Sequence, residues 1–330
     1  MKFSLIIGSL ILLILGTFVL NLSVGNADIS LSDLYTDRTV NNIVFHYRLP
    51  KTIAALLSGI ALSVSGLLLQ ELFRNPLADP SVLGLTSASG LGVAVVIFLS
   101  SIIGVQGLIQ SSWLIVGTSF LGALLAMLLL LYFSSKLNST TALIIIGMMI
   151  AGFASALVGL MQFFAPSEKI KSFLLWTFGS VSGLSWQQIT VFTLSITLGI
   201  LLSIITLKGL SGLRLGEHYA TTMGVSVKKN RWLILISSSV LTAATTAFVG
   251  PIAFIGLAVP HICRMFFKET NIYRLYIFVV LVGSLIMLTF SWIAQMFPTG
   301  TLPINILTSL VGTPIVISII WSRNKHQWNA

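Results

Sequence analysis

Eight carboxylates, four histidines and one cysteine are the side chains of this sequence best able to move protons, hold a metal or attack an electrophile. Their spacing serves none of these purposes. His46, His218, His261 and His326 are scattered and form no ligand cluster at metal spacing, so no metal site is expected. No His-Glu-x-x-His helix, no Gly-x-Ser-x-Gly elbow and no phosphate-cradling Gly-x-x-x-x-Gly-Lys-Ser/Thr loop occurs. Cys263, being single, excludes an internal disulfide and a multi-cysteine metal centre, and reads as a small apolar filler near a helix end. The sequence carries no signature of an enzyme and requires no cofactor of its own.

The positions of the charges are more informative. Asp28, Asp33, Asp37, Glu71, Asp79, Glu168, Glu217 and Glu269 all fall at the ends of apolar stretches or between them, as do the 18 lysines and arginines. Ion-coupled transporters keep ionisable groups inside their spans as relays or ion sites. None is evident here, although backbone carbonyls can also bind sodium. An energy source outside this chain is expected.

The elements that must position these groups are membrane helices. Of the 330 residues, 56% are hydrophobic and 8% charged, against about 25% charged in a soluble domain. A helix needs about 20 apolar residues to cross the hydrocarbon core. Ten such stretches lie near 4–24, 50–70, 82–103, 112–133, 142–165, 187–207, 232–249, 252–267, 275–296 and 303–321. The fold class is an all-α membrane protein, one transmembrane domain over 1–330 with about ten spans in a compact bundle. Lys2 and the first apolar run resemble a signal peptide with Gly25-Asn26-Ala27 as a cleavage region; a run of about 20 residues favours a retained helix instead. With both termini in the cytoplasm, 13 basic residues lie inside and five outside, matching the positive-inside rule. The net charge of +10 then reflects topology and anionic lipid, not nucleic acid. Gly59, Gly66, Gly84, Gly90, Gly92, Gly117, Gly122, Gly147, Gly152, Gly179 and Gly183 mark expected close helix approaches.

Three polar regions punctuate the bundle. Arg48-Leu49-Pro50-Lys51 opens the second span on the outer side, either as a headgroup anchor or as a basic dock for an acidic partner. Arg74-Asn75-Pro76-Leu77-Ala78-Asp79-Pro80 is a rigid inner turn in which Asp79 or Ser81 could cap the next helix. The segment from about 208 to 231 is long for a chain of tight loops; it holds a short helix over about 216–223, stopped by Gly224. It is either a solvated basic loop or a helix seated in a cytoplasmic partner. A short outer helix is expected over Lys169–Trp176.

In this order, the three regions resemble the permease family of ATP-binding-cassette importers for iron siderophores, haem and cobalamin. The resemblance rests on Arg48–Lys51 followed by Leu57-Ser58-Gly59 and Ser65-Gly66, and on Asn75, Pro76, Leu77, Ala78, Asp79 and Pro80 before Leu83-Gly84. It rests also on Gly216, Glu217, Ala220 and Gly224 of the long loop. The last element is Gly250-Pro251-Ile252-Ala253-Phe254-Ile255-Gly256-Leu257-Ala258-Val259-Pro260-His261. It covers about residues 45–315. It implies a second permease subunit, two cytoplasmic ATPase subunits that bind ATP and magnesium, and an extracytoplasmic substrate-binding protein, in a bacterial inner membrane. Arg48 and Lys51 become docking residues, and Gly216–Gly224 the loop coupled to the ATPase. Ferric siderophore is the first expected cargo, haem and cobalamin the alternatives; an ion-coupled transporter or a non-transporting subunit would be the rivals.

Departures from the family pattern are local. Lys51 stands where a second arginine is usual, keeping the charge but losing a fork. Phe290, Ala294 and Thr301-Leu302-Pro303-Ile304-Asn305 replace the usual charged ninth helix and Glu-Leu-Pro-x-Gly, which a heterodimer would explain. The turn Asn138–Thr141, with Thr140 and Thr141, and the fifth span through Gly147, Met148 and Gly152 are the expected gate; Met148, Met149, Met161 and Gln162 the candidate lining.

Overall fold

The computed structural model describes residues 3–23, 38–100, 112–137, 139–297 and 301–327; the side chains of Arg38, Thr140 and 318–327 are also outside the described set. Asp28, Asp33, Asp37 and Asn138 therefore lie outside the described residues, as does the Gly25–Ala27 segment. The helices are α1 (Phe3–Ser23), α2 (Arg38–Ile43), α3 (Leu49–Phe73), α4 (Leu85–Leu99), α5 (Ser112–Lys136), α6 (Thr140–Phe163), α7 (Ser167–Thr177), α8 (Trp186–Leu215), α9 (Glu217–Thr222), α10 (Val227–Val249), α11 (Ile255–Phe267), α12 (Ile272–Gln295) and α13 (Ile304–Gln327). A single π-helical turn, Val44–Arg48, joins α2 to α3. Seven of these are long and apolar enough to cross a membrane, and α4, α11 and the first part of α13 are shorter apolar helices. Each of the ten expected stretches falls on one of them.

The centre of the bundle is α3, buried along most of its length and flanked by α8, α10, α11 and α12. Lipid offers no hydrophobic force between helices, so small residues and hydroxyls hold such a core together. α3 follows that rule. A Cβ on Gly59 would collide with the carbonyl of Gly283 in α12, and one on Gly66 with the carbonyl of Gly256 in α11. Ser65 shares hydrogen bonds with Ser238 and Thr242 of α10. On the far side of α12, the Asn21 amide of α1 donates to Leu288 O at 2.9 Å and accepts from Gln295 at 3.0 Å. Close approach also holds at Gly84, Gly92, Gly122, Gly147 and Gly179, whereas Gly117, Gly152 and Gly183 have nothing within 4 Å of an added Cβ, and Gly90 meets only the Trp176 ring at 3.7 Å. Those four glycines do not pack helices as their spacing suggests, because they face outward or towards a flat ring.

The turn between α3 and α4 is built by two asparagine/aspartate turns. Asn75 Oδ1 accepts from Leu77 N, and Asp79 Oδ2 from the Ser81 N–H and hydroxyl. Neither Asp79 nor Ser81 caps α4; its N-cap is Gly84, at φ +76. The Asp79 carboxylate is committed to its own turn, and its burial pushes the carboxyl above the usual range against the opposing pull of the Ser81 bonds.

A candidate coupling site and its anchorage

α8 runs two turns further than its apolar stretch, to Leu215, so the expected loop from about 208 to 231 shortens to the connections around α9. The extension is possible because α8 presents glycines there. Gly209 accommodates the Asn230 side chain, and a Cβ on Gly212 would lie 3.2 Å from Ala220. Gly216, at φ +122, then breaks the helix, a conformation that an L side chain rarely adopts. α9 follows as a single short helix closed by Gly224 at φ +77. Ala220 is fully buried against α8, and Val225 N returns to Ala220 O at 3.0 Å. His218, Tyr219, Thr221, Thr222 and Met223 are exposed. The result is a small helix fixed by one face, with an aromatic ring and a thioether turned outward.

The root of α9 is tied to the bundle by charges. Arg214, two residues before Gly216, donates Nε to Glu71 Oε2 and Nη2 to Glu71 Oε1, both at 2.7 Å, and Nη1 to Thr270 O at 2.6 Å. Glu71 Oε1 also accepts from Arg264 of α11 at 3.2 Å. Arg264 reaches Gln70 Oε1 at 2.7 Å, and Gln70 Nε2 donates to Gly256 O and Leu257 O at 3.3 and 3.2 Å. Pro260 explains the last contact. It lacks an N–H, so the carbonyl four residues earlier, Gly256 O, has no helical donor and takes the glutamine amide instead. Arg74, a left-handed C-cap of α3, donates to Leu213 O.

At the opposite end of the bundle, Arg48 and Lys51 are 7% and 8% exposed. Arg48 donates to Leu22 O and Ser23 O, both at 2.7 Å, neutralising the open carbonyls that end α1. Lys51 lines a cavity of about 140 Å³ with Phe178, Ser180, Ala294, Thr301 and Leu302. Nearby, Gly250 (φ +84) and Pro251 end α10 and press on Gly179, while Phe254, at φ +69, seats its side chain against Gly312 of α13. His261 is half-buried one turn before Arg264. Asn305 stands between the two sides of this end. Its Oδ1 accepts from Ala253 N at 3.0 Å, its Nδ2 donates to Thr177 O at 3.4 Å, and its own N–H donates to Phe178 O at 3.3 Å.

The model of the FecCD transport family matches residues 11–322. The chain belongs to that family. It is 32% identical to the molybdate import system permease MolB of Haemophilus influenzae, covering 98% of this chain and 97% of that one. It is also 32% identical to a Helicobacter pylori protein named "Probable iron chelatin transport system permease protein", with 84% and 82% covered. A metal-chelate type ABC transporter solved in an inward-facing conformation superposes with a TM-score of 0.83 at 32% identity, over 96% of this chain and 99% of that chain.

As a FecCD protein, the chain is a transport permease of an ATP-binding-cassette importer, a multi-pass protein of the bacterial inner membrane that works with ATPase and permease partners; hydrolysis belongs to the separate ATPase subunit. The structure brings the long-loop residues together and shows what their spacing hid. Glu71, Arg214 and Arg264 meet across 143 and 193 residues of sequence, a separation at which no local pattern signals a pair. The one available hint is an acidic residue in the last turn of a largely apolar helix. Asn305 stood out in the sequence only as a departure from the family string. On α6, Thr141, Met148 and Gly152 share one exposed face with Ile145; Thr140 begins the helix.

Proposed function

We propose that this FecCD permease imports a ferric siderophore, entering from a binding protein at the α7 end and leaving at the α9 end, with both termini cytoplasmic. The observation that carries the mechanism is α9: an exposed single-turn helix, rigidly rooted through Ala220 and Arg214, has the form of a knob for a groove in a cytoplasmic ATPase. Its exposed Tyr219 and Met223 would fill such a groove, while Gly216 and Gly224 set its angle. Closure of the ATPase pair would push this knob, and the bundle would alternate its access.

Docking of the binding protein rests on Lys51 more than on Arg48. The Arg48 guanidinium serves the end of α1, whereas Lys51 lines a cavity sized for one acidic side chain. Anionic lipid headgroups would surround this rim. The α6 face of Thr141, Ile145, Met148 and Gly152 is uncharged, which suits a pathway that must release its cargo; a second permease subunit, the same chain or another, would complete it. That iron chelates are the named substrate of one relative supports the siderophore reading. A second reading is favoured by the closeness of the molybdate permease over nearly the full chain; haem or cobalamin remain the alternatives within the family. The test is uptake in cells lacking this chain and any redundant importer, comparing ferric siderophore, molybdate, haem and cobalamin. Loss of ferric siderophore uptake alone, restored by the gene, is expected; loss of another cargo instead would replace the siderophore assignment.

A further inference from the structure

We infer that α11 is the rod that carries movement of α9 across the bundle to α7, with Glu71 and Asn305 as its two joints. The inference rests on the reading of α9 as the ATPase contact. It adds to that reading a route and two positioning residues.

The lower joint is a shared carboxylate. Glu71, in the last turn of α3, is held by Arg214 in the last turn of α8, just before α9, and by Arg264 in the last turn of α11, so the α8–α9 junction and α11 meet on one carboxylate of α3. The side chain of Glu71 is 10% exposed and those of Arg214 and Arg264 28% and 29%, so the shared carboxylate, shielded from water, is costly to leave without a partner. A displacement of the Arg214 end is therefore passed to Arg264 before the pair separates. The bidentate geometry on Arg214 resists rotation as well as stretch. Gln70 adds a second grip on α11, at Gly256 O, which Pro260 leaves open, and at Leu257 O.

The rod itself is short and stiff. α11 has 13 residues, which spans roughly 20 Å at about 1.5 Å per residue. Its backbone is pressed onto α3 at Gly66–Gly256, and Gln70 of α3 bonds the same turn, so the two helices hold one register. The upper joint is Asn305. Through one side chain it holds Ala253, just before α11, and Thr177, the last residue of α7. Ser180 N, three residues after α7, donates to Val249 O at the end of α10 at 2.7 Å, holding the connection into α11 against the same point. Phe254 in its strained left-handed conformation couples the same point to α13 through Gly312.

The test uses the full complex, purified with its ATPase and reconstituted in lipid, in a Cys263→Ala background. Nitroxide pairs are placed by His218→Cys with Lys136→Cys, reporting α9 against α5, and by Leu174→Cys with Leu121→Cys, reporting α7 against α5. Distances are read by pulsed electron resonance before and after trapping with ATP and vanadate. With Glu71 and Asn305 intact, both pairs should shift. In Glu71→Gln, and independently in Arg264→Gln, the α9 pair should still shift while the α7 shift is lost; in Asn305→Ala the same split is expected. Restoration of the α7 shift in Glu71→Asp would show that the carboxylate matters and not mere packing. An α7 shift of full size in Glu71→Gln and Arg264→Gln overturns the inference. So does failure of both variants to assemble, which would make the triad a clamp. Absence of any α9 shift in the parent complex overturns the ATPase-contact reading instead, and the rod with it.

Discussion

At the residue scale, burial decides what each charge can do. Arg48 reads from sequence as a docking residue, but its guanidinium closes α1 with two charge-assisted bonds. Replacing it with alanine should lower stability by about 3 kcal/mol, the low end for two hydrogen bonds to a charged group worth about 1.5–3 kcal/mol each. Thermal unfolding in detergent measures this, and an unchanged midpoint would remove the capping role. Asp79 makes an opposite case. Its folded-state carboxyl is raised by burial, so the stability it contributes is fully present at acid pH, below the ordinary carboxylate range. That contribution is lost as pH rises through the raised value. Asp79→Asn, which keeps an acceptor for Ser81, should flatten this part of the stability–pH curve; identical curves for the variant and the parent would count against it. Neither role was legible in the sequence, where Asp79 was one turn residue among several and the end of α1 lay 25 residues before Arg48.

At the scale of elements, apolar length and glycine placement made the helices readable. The ten stretches, the short helix after Gly216 and the short helix α7 all follow from local composition. The end of α8 did not, because Lys208 and Arg214 look like loop residues until Glu71 and the carbonyl of Thr270 are known to receive Arg214. Glycines were half legible: spacing marks a small residue, but only the neighbour decides whether that face is packed. Gly66→Ala should therefore cost at the upper end of about 1–3 kcal/mol, because its methyl meets the α11 backbone, while Gly152→Ala should cost little. Paired unfolding curves separate the two, and equal losses would refute the packing account. For α9 the buried and exposed faces separate folding from function. Ala220→Arg would force a charge between α8 and α9 and lower stability, so it is a poor probe of coupling. Tyr219→Asp with Met223→Asp alters only exposed positions and should leave the unfolding free energy within about 0.5 kcal/mol of the parent. A large drop would mean that these side chains belong to the fold.

At the scale of the whole molecule, the two ends of the bundle have different chemistry. The α9 end gathers Glu71, Arg74, Arg214, Arg231 and Arg264 into bonded networks that hold an exposed helix at a fixed angle. The α7 end is held by Asn305 and backbone contacts around Gly179 and Gly250. Such a division fits a machine driven at one end and opened at the other. The class of machine was legible because motifs such as Asn75–Pro80 and Gly250–His261 are long enough to be specific. The wiring between its ends was not, because it consists of pairs that only the fold brings together. The most direct test is ATP-driven accumulation of radio-iron-labelled ferric siderophore in vesicles holding the complete complex and its binding protein. Accumulation should occur with the parent chain and be abolished by Tyr219→Asp with Met223→Asp while the protein stays folded. Undiminished accumulation in that variant would contradict α9 as the point where the ATPase drives transport.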